Sequence, residues 1–358
     1  MSILQATQAY ESWVSRQVPL IPADLKLKHE RMAQSPLAFL RATFYRWAQL
    51  WPAACSELAD APLVLGVGDL HLENFGTWRD QEGRLIWGVN DFDEACRLPY
   101  PNDLVRLAVS VQLAAQEQRL SATSESICRA ILSGYEKALE RGGRPFVLAE
   151  HHHWLRELAV SDARDPARFW KKLDSLPSIA KGVPPNVRTA LRRALPETGL
   201  AFRVVHRQAG LGSLGRRRFV ALSQWRGGLI AREAKELALS AWHWDGPVTS
   251  GEKLLYLDLI THAVRVADPF VSLQNPWLLR RLAPDCSRIE MGSLTEVKDK
   301  LRMVEAMGWE TANIHLGKPE TGRRVLKDLR RRPGRWLQKA AAAMTKLTLA
   351  DWDDWPGK

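Results

Sequence analysis

Acidic and amide side chains follow two short apolar runs in the first third of the chain. Asp69 and Asn74 lie in the segment GDLHLENF, which follows the run LVLGV, and Asp91 and Asp93 follow the later run LIWGV. The ends of strands are where sheets present reactive loops. Mg²⁺ binds one or two carboxylates together with phosphate oxygens, and phosphoryl transfer also needs a carboxylate that accepts the proton of the attacking hydroxyl. The spacing therefore predicts a catalytic site of this kind, with Asp69 as the base and Asn74, Asp91 and Asp93 facing the metal.

Simpler roles stay open for several residues of this segment. Asp69 and Asp91 are also of a type found in turns and helix caps, although their joint spacing favours a functional interpretation. His71 is either a metal ligand or a hydrogen-bonded loop histidine. Asp103 is predicted to cap the following helix, with Asn102 as the alternative cap, and to brace the loop.

A second group of residues begins more than a hundred positions later, with glycines in the pattern GxGxxG. Gly210, Gly212, Ser213 and Gly215 separate two strand-like segments. A strand on both sides favours a hairpin that covers phosphates, whereas a dinucleotide-binding fold needs a helix after the loop. Glycine lets the backbone approach a phosphate closely and point N–H groups at it. The segment is therefore predicted to bind the phosphates of a nucleotide.

A lysine on the next strand would complete such a nucleotide site by holding the phosphates. Lys235 ends the strand-like run at 229–235, and Arg232 is the alternative. Period-two alternation places those two side chains on opposite faces of the strand. We prefer Lys235, and its acidic partner is left open between Glu236 and Glu252.

The periodicity of apolar residues predicts an α+β fold. Residues 1–198 are predicted to form a helical lobe with the catalytic and metal loops, residues 199–292 a β-rich nucleotide-binding lobe, and residues 293–358 C-terminal helices on the helical lobe. The predicted helices cover most of 1–60 and the segments 104–116, 124–139 and 252–267. The predicted strands cover 63–67, 85–89, 201–208, 218–224 and 229–235, with a further pair within 277–291.

The composition is that of an ordinary globular protein with a basic surface. The chain has 358 residues, 46% of them hydrophobic, and a formal net charge of +11. No run is long and apolar enough to cross a bilayer, and the four cysteines are scattered, so a reduced cytoplasmic protein without a membrane span is expected. The positive charge suits a nucleotide. The basic run at 323–339 would allow contact with nucleic acid, but a solvated basic helix is favoured.

The two groups of motifs together resemble known phosphotransferases. GDLHLENF followed by NDFDEA is similar to the catalytic core of aminoglycoside phosphotransferases and choline kinases, which implies Asp69 as base, Asn74 and Asp91 as Mg²⁺ ligands and Asp103 as a brace. Val67 departs from the histidine usual in those families. The glycine loop follows the catalytic loop here, the reverse of the kinase order. Together with GLGSLG and the run from Lys235, this resembles an uncharacterised bacterial family, domain of unknown function twenty-two fifty-two, and implies a circularly permuted, kinase-like fold of two lobes.

The expected function is therefore ATP- and Mg²⁺-dependent transfer of a phosphoryl group to a hydroxyl of a small-molecule or protein acceptor. Three alternatives remain: a nucleotide-binding pseudoenzyme, a nucleotidyl transferase with ATP reversed in the site, and a metal-dependent hydrolase. The hydrolase would use His71 with Asp69, Asp91 and Asp93, but it leaves the glycine loop and Lys235 unexplained.

Overall fold

The computed structural model describes residues 1–118, 122–148, 152–159, 165–246, 252–286 and 296–357. Within these ranges the chain forms a mixed α+β fold, as predicted, with small antiparallel sheets. The helices are α1 (Ile3–Ser15), α2 (Pro22–Met32), α3 (Pro36–Ala42), α4 (Phe44–Ala54), α5 (Pro101–Glu117), α6 (Ser124–Arg141), α7 (His153–Ala159), α8 (Pro166–Asp174), α9 (Pro185–Arg193), α10 (Tyr256–His262), α11 (Val297–His315), α12 (Pro319–Leu329) and α13 (Trp336–Asp353).

Local sequence signals begin many of these helices. Ser2 forms a capping box with Gln5 at the start of α1, and Thr123 accepts a hydrogen bond from the backbone of Ser126 at the start of α6. Such caps satisfy backbone N–H groups that have no partner inside the helix. Proline occupies the first turn of six of the helices described here, where its missing N–H has no cost: α2, α3, α5, α8, α9 and α12.

Helix α5 lies at the centre of the helical part. Its residues from Pro101 to Ala115 are all buried, so the helix has no solvent face over that length. It begins at Pro101 after Tyr100, which corrects the prediction of Asn102 or Asp103 as the cap. Those two residues lie within its first turn, and their side chains bond elsewhere in the core. The side chains of α5 are therefore available for interior contacts.

In the described part of the chain, ten strands form three separate sheets. They are β1 (Leu63–Gly66), β2 (Phe75–Arg79), β3 (Leu85–Val89), β4 (Cys96–Pro99), β5 (Phe146–Val147), β6 (Arg203–His206), β7 (Arg218–Trp225), β8 (Gly228–Glu236), β9 (Ser272–Gln274) and β10 (Trp277–Leu282). β1 pairs with β4, and β2, β3 and β5 form a second sheet. The five-stranded sheet has the order β6-β7-β8-β10-β9. Antiparallel pairing joins every neighbouring pair.

The main predicted elements are present, with differences at several ends. The predicted strands near 63–67, 85–89, 218–224 and 229–235 all appear. The helix predicted at 252–267 is shorter and covers only α10. β10 pairs with β9, which precedes it, and with β8. Residues 287–291 of the predicted strand pair, and the predicted boundary after residue 292, lie outside the described residues.

The five-stranded sheet has two different faces. One face packs Phe219, Ala234 and Leu279 against Val187 and Leu191 of α9. The other face is apolar at one end, where Leu222 and its neighbours pack against α8. At its other end, next to the helices, this second face carries charged residues that include Lys235. The five-stranded sheet therefore presents charged side chains to the space between itself and the helices.

Helix α2 joins the helical part to the loop between β6 and β7. The Ile21 N–H donates to the Gly215 carbonyl at 2.8 Å, and Lys28 Nζ donates to the Gly212 carbonyl at 3.4 Å. Asp24 Oδ2 lies 2.8 Å from His206 Nε2 at the end of β6. Since both Asp24 and Lys28 are buried, α2 holds this loop from its outer side.

Among the described residues, the helices are all too short or too polar to serve as a membrane span.

Candidate functional site

The loop after β1 is fixed by a buried carboxylate. Asp103 Oδ2 accepts the Val67 N–H at 2.7 Å, and Oδ1 accepts the Gly68 N–H at 2.9 Å. His315 Nε2, from α11, lies 3.0 Å from Asp103 Oδ2. Asp103 is completely buried, so these contacts take place without competition from water. The brace expected at this position is therefore present, and it sets the direction in which Asp69 leaves the strand.

Asp69 is bound by an arginine that the sequence analysis did not identify. Arg106 donates to Asp69 Oδ1 from Nε at 2.9 Å and from Nη2 at 2.5 Å. The guanidinium is buried and lies 5.0 Å from the ring of Phe44 and 4.9 Å from that of Trp47. Burial raises the pKa of Asp69 to about 7, although Arg106 acts in the opposite direction. Arg106 therefore orients Asp69 but leaves a carboxyl group that exchanges its proton near neutral pH.

Arg106 had one detectable signal in the sequence. It follows Asp103 by three positions on a helix, so the two side chains share a face. The same face therefore carries both the brace of the loop and the partner of Asp69.

Asn74 and His71 are engaged in hydrogen bonds within their own loop. The His71 N–H donates to Asn74 Oδ1 at 2.6 Å, and His71 Nδ1 accepts the Glu73 N–H at 3.2 Å. Glu73 also forms an ion pair with Arg41 of α3 at 2.9 Å. An amide oxygen has two lone pairs, so Asn74 Oδ1 has capacity for a second partner.

Lys235 faces the two aspartates of the second loop. Its Nζ lies 3.3 and 3.4 Å from the two carboxylate oxygens of Asp91, and it also contacts Asp93 Oδ2. The Lys235 side chain is 1% exposed, that of Asp93 9% and that of Asp91 33%. Asp91 is therefore the acidic group of this cluster that is most open to a ligand.

The two aspartates differ in their tendency to ionise. Burial opposes ionisation of Asp91, but the positive charges of Lys235 and Arg280 outweigh it and hold the pKa of Asp91 below its usual range. Burial, and then the charge of Asp91, raise the pKa of Asp93 to about 6 despite the contact with Lys235. Asp91 is consequently the carboxylate that stays negative over the whole physiological range.

The structure places the two predicted acidic partners of Lys235 elsewhere. Glu236 accepts a hydrogen bond from Arg217 Nε at 2.8 Å, and Glu252 lies 3.2 Å from His243 Nδ1. Arg232 donates to the Ala194 carbonyl at 2.8 Å and does not join the aspartates. The preference for Lys235 over Arg232 thus agrees with the geometry, and its acidic partners are Asp91 and Asp93.

The glycine loop lies directly over Asp69. A Cβ atom on Gly212 would be 3.2 Å from Asp69 Oδ2 and 3.1 Å from the Arg41 carbonyl, so a larger residue would press on the carboxylate. Gly210 and Gly215 have φ angles of +74° and +100°, which favour glycine. Ser213 Oγ accepts a hydrogen bond from Arg218 Nη2 at 2.9 Å. The strand that follows the loop confirms the predicted hairpin and excludes the strand–loop–helix arrangement of a dinucleotide fold here.

Both groups of motifs meet in one cavity of about 160 Å³. The predicted residues that line it are Asp69, Asn74, Asp91, Asp93, Gly210, Gly212 and Ser213, whereas Gly215 and Lys235 are not among the lining residues. Residues that line it without having been predicted as ligands include Arg41, Glu73 and Glu94. Segments more than a hundred residues apart in sequence thus share a single, strongly acidic cavity.

The donor atoms in this cavity suit a hard divalent cation that also binds phosphate. Across the described residues, no three His, Cys, Asp or Glu side chains are already arranged around a common metal position. Mg²⁺ commonly takes only one or two carboxylates from the protein and completes its shell with water and phosphate oxygens. Asp91, which is ionised and partly exposed, and the amide oxygen of Asn74 fit that requirement.

Comparison with family models supports the resemblance to the uncharacterised bacterial family. No curated protein and no solved structure matches the chain. The family match covers less than half of the chain, contains Asp69, Asn74, Asp91 and Asp103, and ends before the glycine loop. The bacterial family predicted from the motifs is therefore confirmed over this part: residues 20–169 match the model of DUF2252, described as an uncharacterized protein conserved in bacteria.

Proposed function

We propose that this protein is a kinase-like phosphotransferase, which binds ATP with Mg²⁺ and transfers the terminal phosphoryl group to a hydroxyl group of an acceptor. The observation that supports this most directly is the shared cavity. It brings together a carboxyl group suited to a base, an ionised aspartate beside a lysine, and a glycine loop. These are the parts that phosphoryl transfer needs for positioning, charge neutralisation and proton removal.

Asp91 and Asn74 are the residues that would hold Mg²⁺. When bound, the ion neutralises charge on the phosphates. In the absence of the nucleotide, the ammonium group of Lys235 offsets negative charge on Asp91 and Asp93. When the nucleotide is bound, the same ammonium group would also contact the phosphates. The glycine loop would cover the phosphate chain and exclude water.

Asp69 would act on the acceptor. Its carboxylate accepts the proton as the acceptor oxygen bonds to the γ-phosphorus, and the bond from that phosphorus to the β,γ-bridging oxygen breaks, which releases ADP. A base with a pKa of about 7 suits this step at neutral pH. The Arg106 contact fixes the orientation of the carboxylate.

We also propose that the chain has a kinase-like, two-lobed fold with permuted order. The supporting features are the pairing of β1 with β4 around the catalytic loops and the five-stranded antiparallel sheet that carries the glycine loop and Lys235. The sheet follows the catalytic loops in the chain, so the lobe order would be reversed. Permutation of this kind keeps the same contacts when the original termini lie close together.

Calorimetric titration of ATP into the protein, with and without Mg²⁺, tests the proposed function. We expect binding that depends on Mg²⁺ in the wild type and in Lys172→Met, which changes an exposed lysine on α8, and loss of that binding in Lys235→Met. ATP labelled at the γ- or the α-phosphate then identifies the group that is transferred. Label from the α-position would replace the proposal with nucleotidyl transfer, and failure to bind ATP or GTP would reject it.

The rate of transfer should rise as the pH increases through about 7. Asp69 must be ionised to accept a proton, so kcat/KM should fall about tenfold for each pH unit below its pKa. The measurement is the pH dependence of kcat/KM at saturating Mg²⁺, with melting temperature followed over the same range. A profile that is flat from about pH 5 to pH 7 would contradict the assignment of Asp69 as the base.

A further inference from the structure

Arg41 lies in the wall of the cavity and has no role in the proposed function. It belongs to the last turn of α3, and its side chain is 19% exposed. Of the described residues that line the cavity, it is the only lysine or arginine. Burial of a guanidinium group is unfavourable unless the group gains partners, so the contacts of Arg41 bear directly on what it does there.

The Arg41 side chain is paired with the loop that carries the proposed base. Its Nη2 lies 2.9 Å from Glu73 Oε2, and Glu73 follows Asp69 by four positions. Burial lowers the pKa of Arg41, whereas the charges of Asp69 and Asp91 act in the opposite direction. The guanidinium group is therefore within electrostatic reach of both the proposed base and the proposed metal ligand.

The backbone of Arg41 meets the glycine loop. A Cβ atom on Gly212 would lie 3.1 Å from the Arg41 carbonyl and 3.2 Å from Asp69 Oδ2. The end of α3, the glycine loop and the Asp69 carboxylate consequently come together at one point of the cavity. In the proposed reaction the phosphoryl group passes from a donor under the glycine loop to an acceptor beside Asp69, so it would pass close to Arg41.

The charge of the surrounding wall favours a cationic partner for that group. The other charged residues described in this wall are all acidic: Asp69, Glu73, Asp91, Asp93 and Glu94. During transfer, the negative charge of a phosphoryl group is spread over its three equatorial oxygens. Of the described residues in the wall, Arg41 is the one with a permanent positive charge that can offset it.

Arg41 also has an unpaired hydrogen-bond donor. Among the described residues, its Nε is buried and has no hydrogen-bond partner. Arg106, Arg216 and Arg281 have such nitrogens too, but these three residues do not line the cavity. A guanidinium group presents five N–H donors in a fork that matches phosphate oxygens. The pairing with Glu73 therefore leaves donors for an anion in the cavity.

We infer that Arg41 is a catalytic residue of this site, which donates hydrogen bonds to the oxygens of the phosphoryl group during its transfer. The inference rests on the proposed function and adds a residue that contacts the reacting group. The bonds that change are those of the proposed reaction: the acceptor oxygen bonds to phosphorus, the bond from phosphorus to the bridging oxygen breaks, and Asp69 takes the proton. Arg41 stays protonated throughout and stabilises the charge of the transferred group.

Binding of ADP and Mg²⁺ with and without aluminium fluoride tests the inference. The planar fluoride complex stands in for the phosphoryl group in transfer, and analogues of a transition state bind more tightly than ground-state ligands. We expect aluminium fluoride to tighten ADP binding to the wild type by at least about 100-fold. Arg41→Gln should lose most of this gain, while its affinity for ADP and Mg²⁺ alone stays within about threefold, because ADP lacks the transferred group.

Two further variants support the measurement. Arg41→Lys keeps the positive charge beside Glu73 but lacks the planar fork, so it should lose about tenfold of the gain, and it serves if Arg41→Gln does not fold. Arg16→Gln is the matched control, because Arg16 is an exposed arginine at the end of α1 and does not line the cavity. It should bind both forms as the wild type does.

The possible outcomes separate this inference from the proposed function. An unchanged gain in a folded Arg41→Gln or Arg41→Lys protein would overturn the inference alone, as would a wild type that binds ADP without any gain from aluminium fluoride. An equal loss of ADP binding with and without aluminium fluoride in Arg41→Gln would also overturn it, because Arg41 would then act on the nucleotide in general. A wild type that binds neither ADP nor ATP would overturn both.

Discussion

Replacing Asp91 by asparagine should lower phosphoryl transfer by about 10³-fold. Asp91 is the ionised and more exposed carboxylate of the cavity, and asparagine keeps its shape but removes the charge that attracts Mg²⁺. Steady-state kinetics over a range of Mg²⁺ concentrations measures the effect. The melting temperature should change little, because Lys235 loses the charge of Asp91 but keeps its ion pair with Asp93.

Asp93→Asn is the matched comparison for this variant. Asp93 is more buried than Asp91, and its pKa is raised to about 6. Its main role is therefore to hold Lys235 in position. We expect a loss of about tenfold, of the size typical for a positioning group. Equal losses in both variants would mean that the two aspartates bind the metal jointly. Unchanged turnover and unchanged Mg²⁺ dependence in Asp91→Asn would contradict the metal assignment altogether.

Residues whose roles depend on local order could be predicted from the sequence. Asp69, Asn74 and Asp91 follow apolar strands, and the glycines lie between two strands. Each of these signals is contained in ten or so residues, so no knowledge of the tertiary structure is needed to detect it. That the catalytic loops and the glycine loop lie close together could be expected only from the family resemblance. In the structure, residues of both segments line the same cavity.

Residues whose roles depend on tertiary contacts are harder to find in this way, and for Arg106 the spacing from Asp103 is a weak signal. Arg106 lies on a helix that is buried on all sides, and a buried arginine looks the same in sequence as one on a solvated face. Asp24 and Lys28 of α2 have the composition of a surface helix, yet both are buried against the glycine-loop hairpin. Their partners lie some 180 residues away along the chain.

Two incorrect expectations have similar causes. Glu236, one of the two expected partners of Lys235, is the next residue along β8, and neighbouring residues of a strand point to opposite faces. No strand was predicted over β2 (Phe75–Arg79). This segment pairs along its whole length with β3, and a local pattern does not reveal such a pairing.

The stability of the fold should depend strongly on Asp103. Its carboxylate is completely buried and accepts hydrogen bonds from the Val67 and Gly68 N–H groups, with His315 as a third neighbour. Asp103→Ala would leave these groups buried without a partner, since the methyl group of alanine accepts no hydrogen bond. Breaking a buried hydrogen-bonded carboxylate network costs about 3–5 kcal/mol, so we expect the free energy of unfolding to fall by that amount. Urea denaturation followed by circular dichroism measures the change.

Two comparison variants separate this effect from the general loss of a charged pair. Asp174→Ala removes the exposed partner of Arg203, and an exposed pair contributes less than about 1 kcal/mol. Asp103→Asn keeps one acceptor oxygen and should lie between the two. If Asp103→Ala were no less stable than Asp174→Ala, the carboxylate would not be the group that fixes the loop. Because the same loop presents Asp69, folded Asp103→Asn protein should also show weaker turnover with unchanged dependence on Mg²⁺.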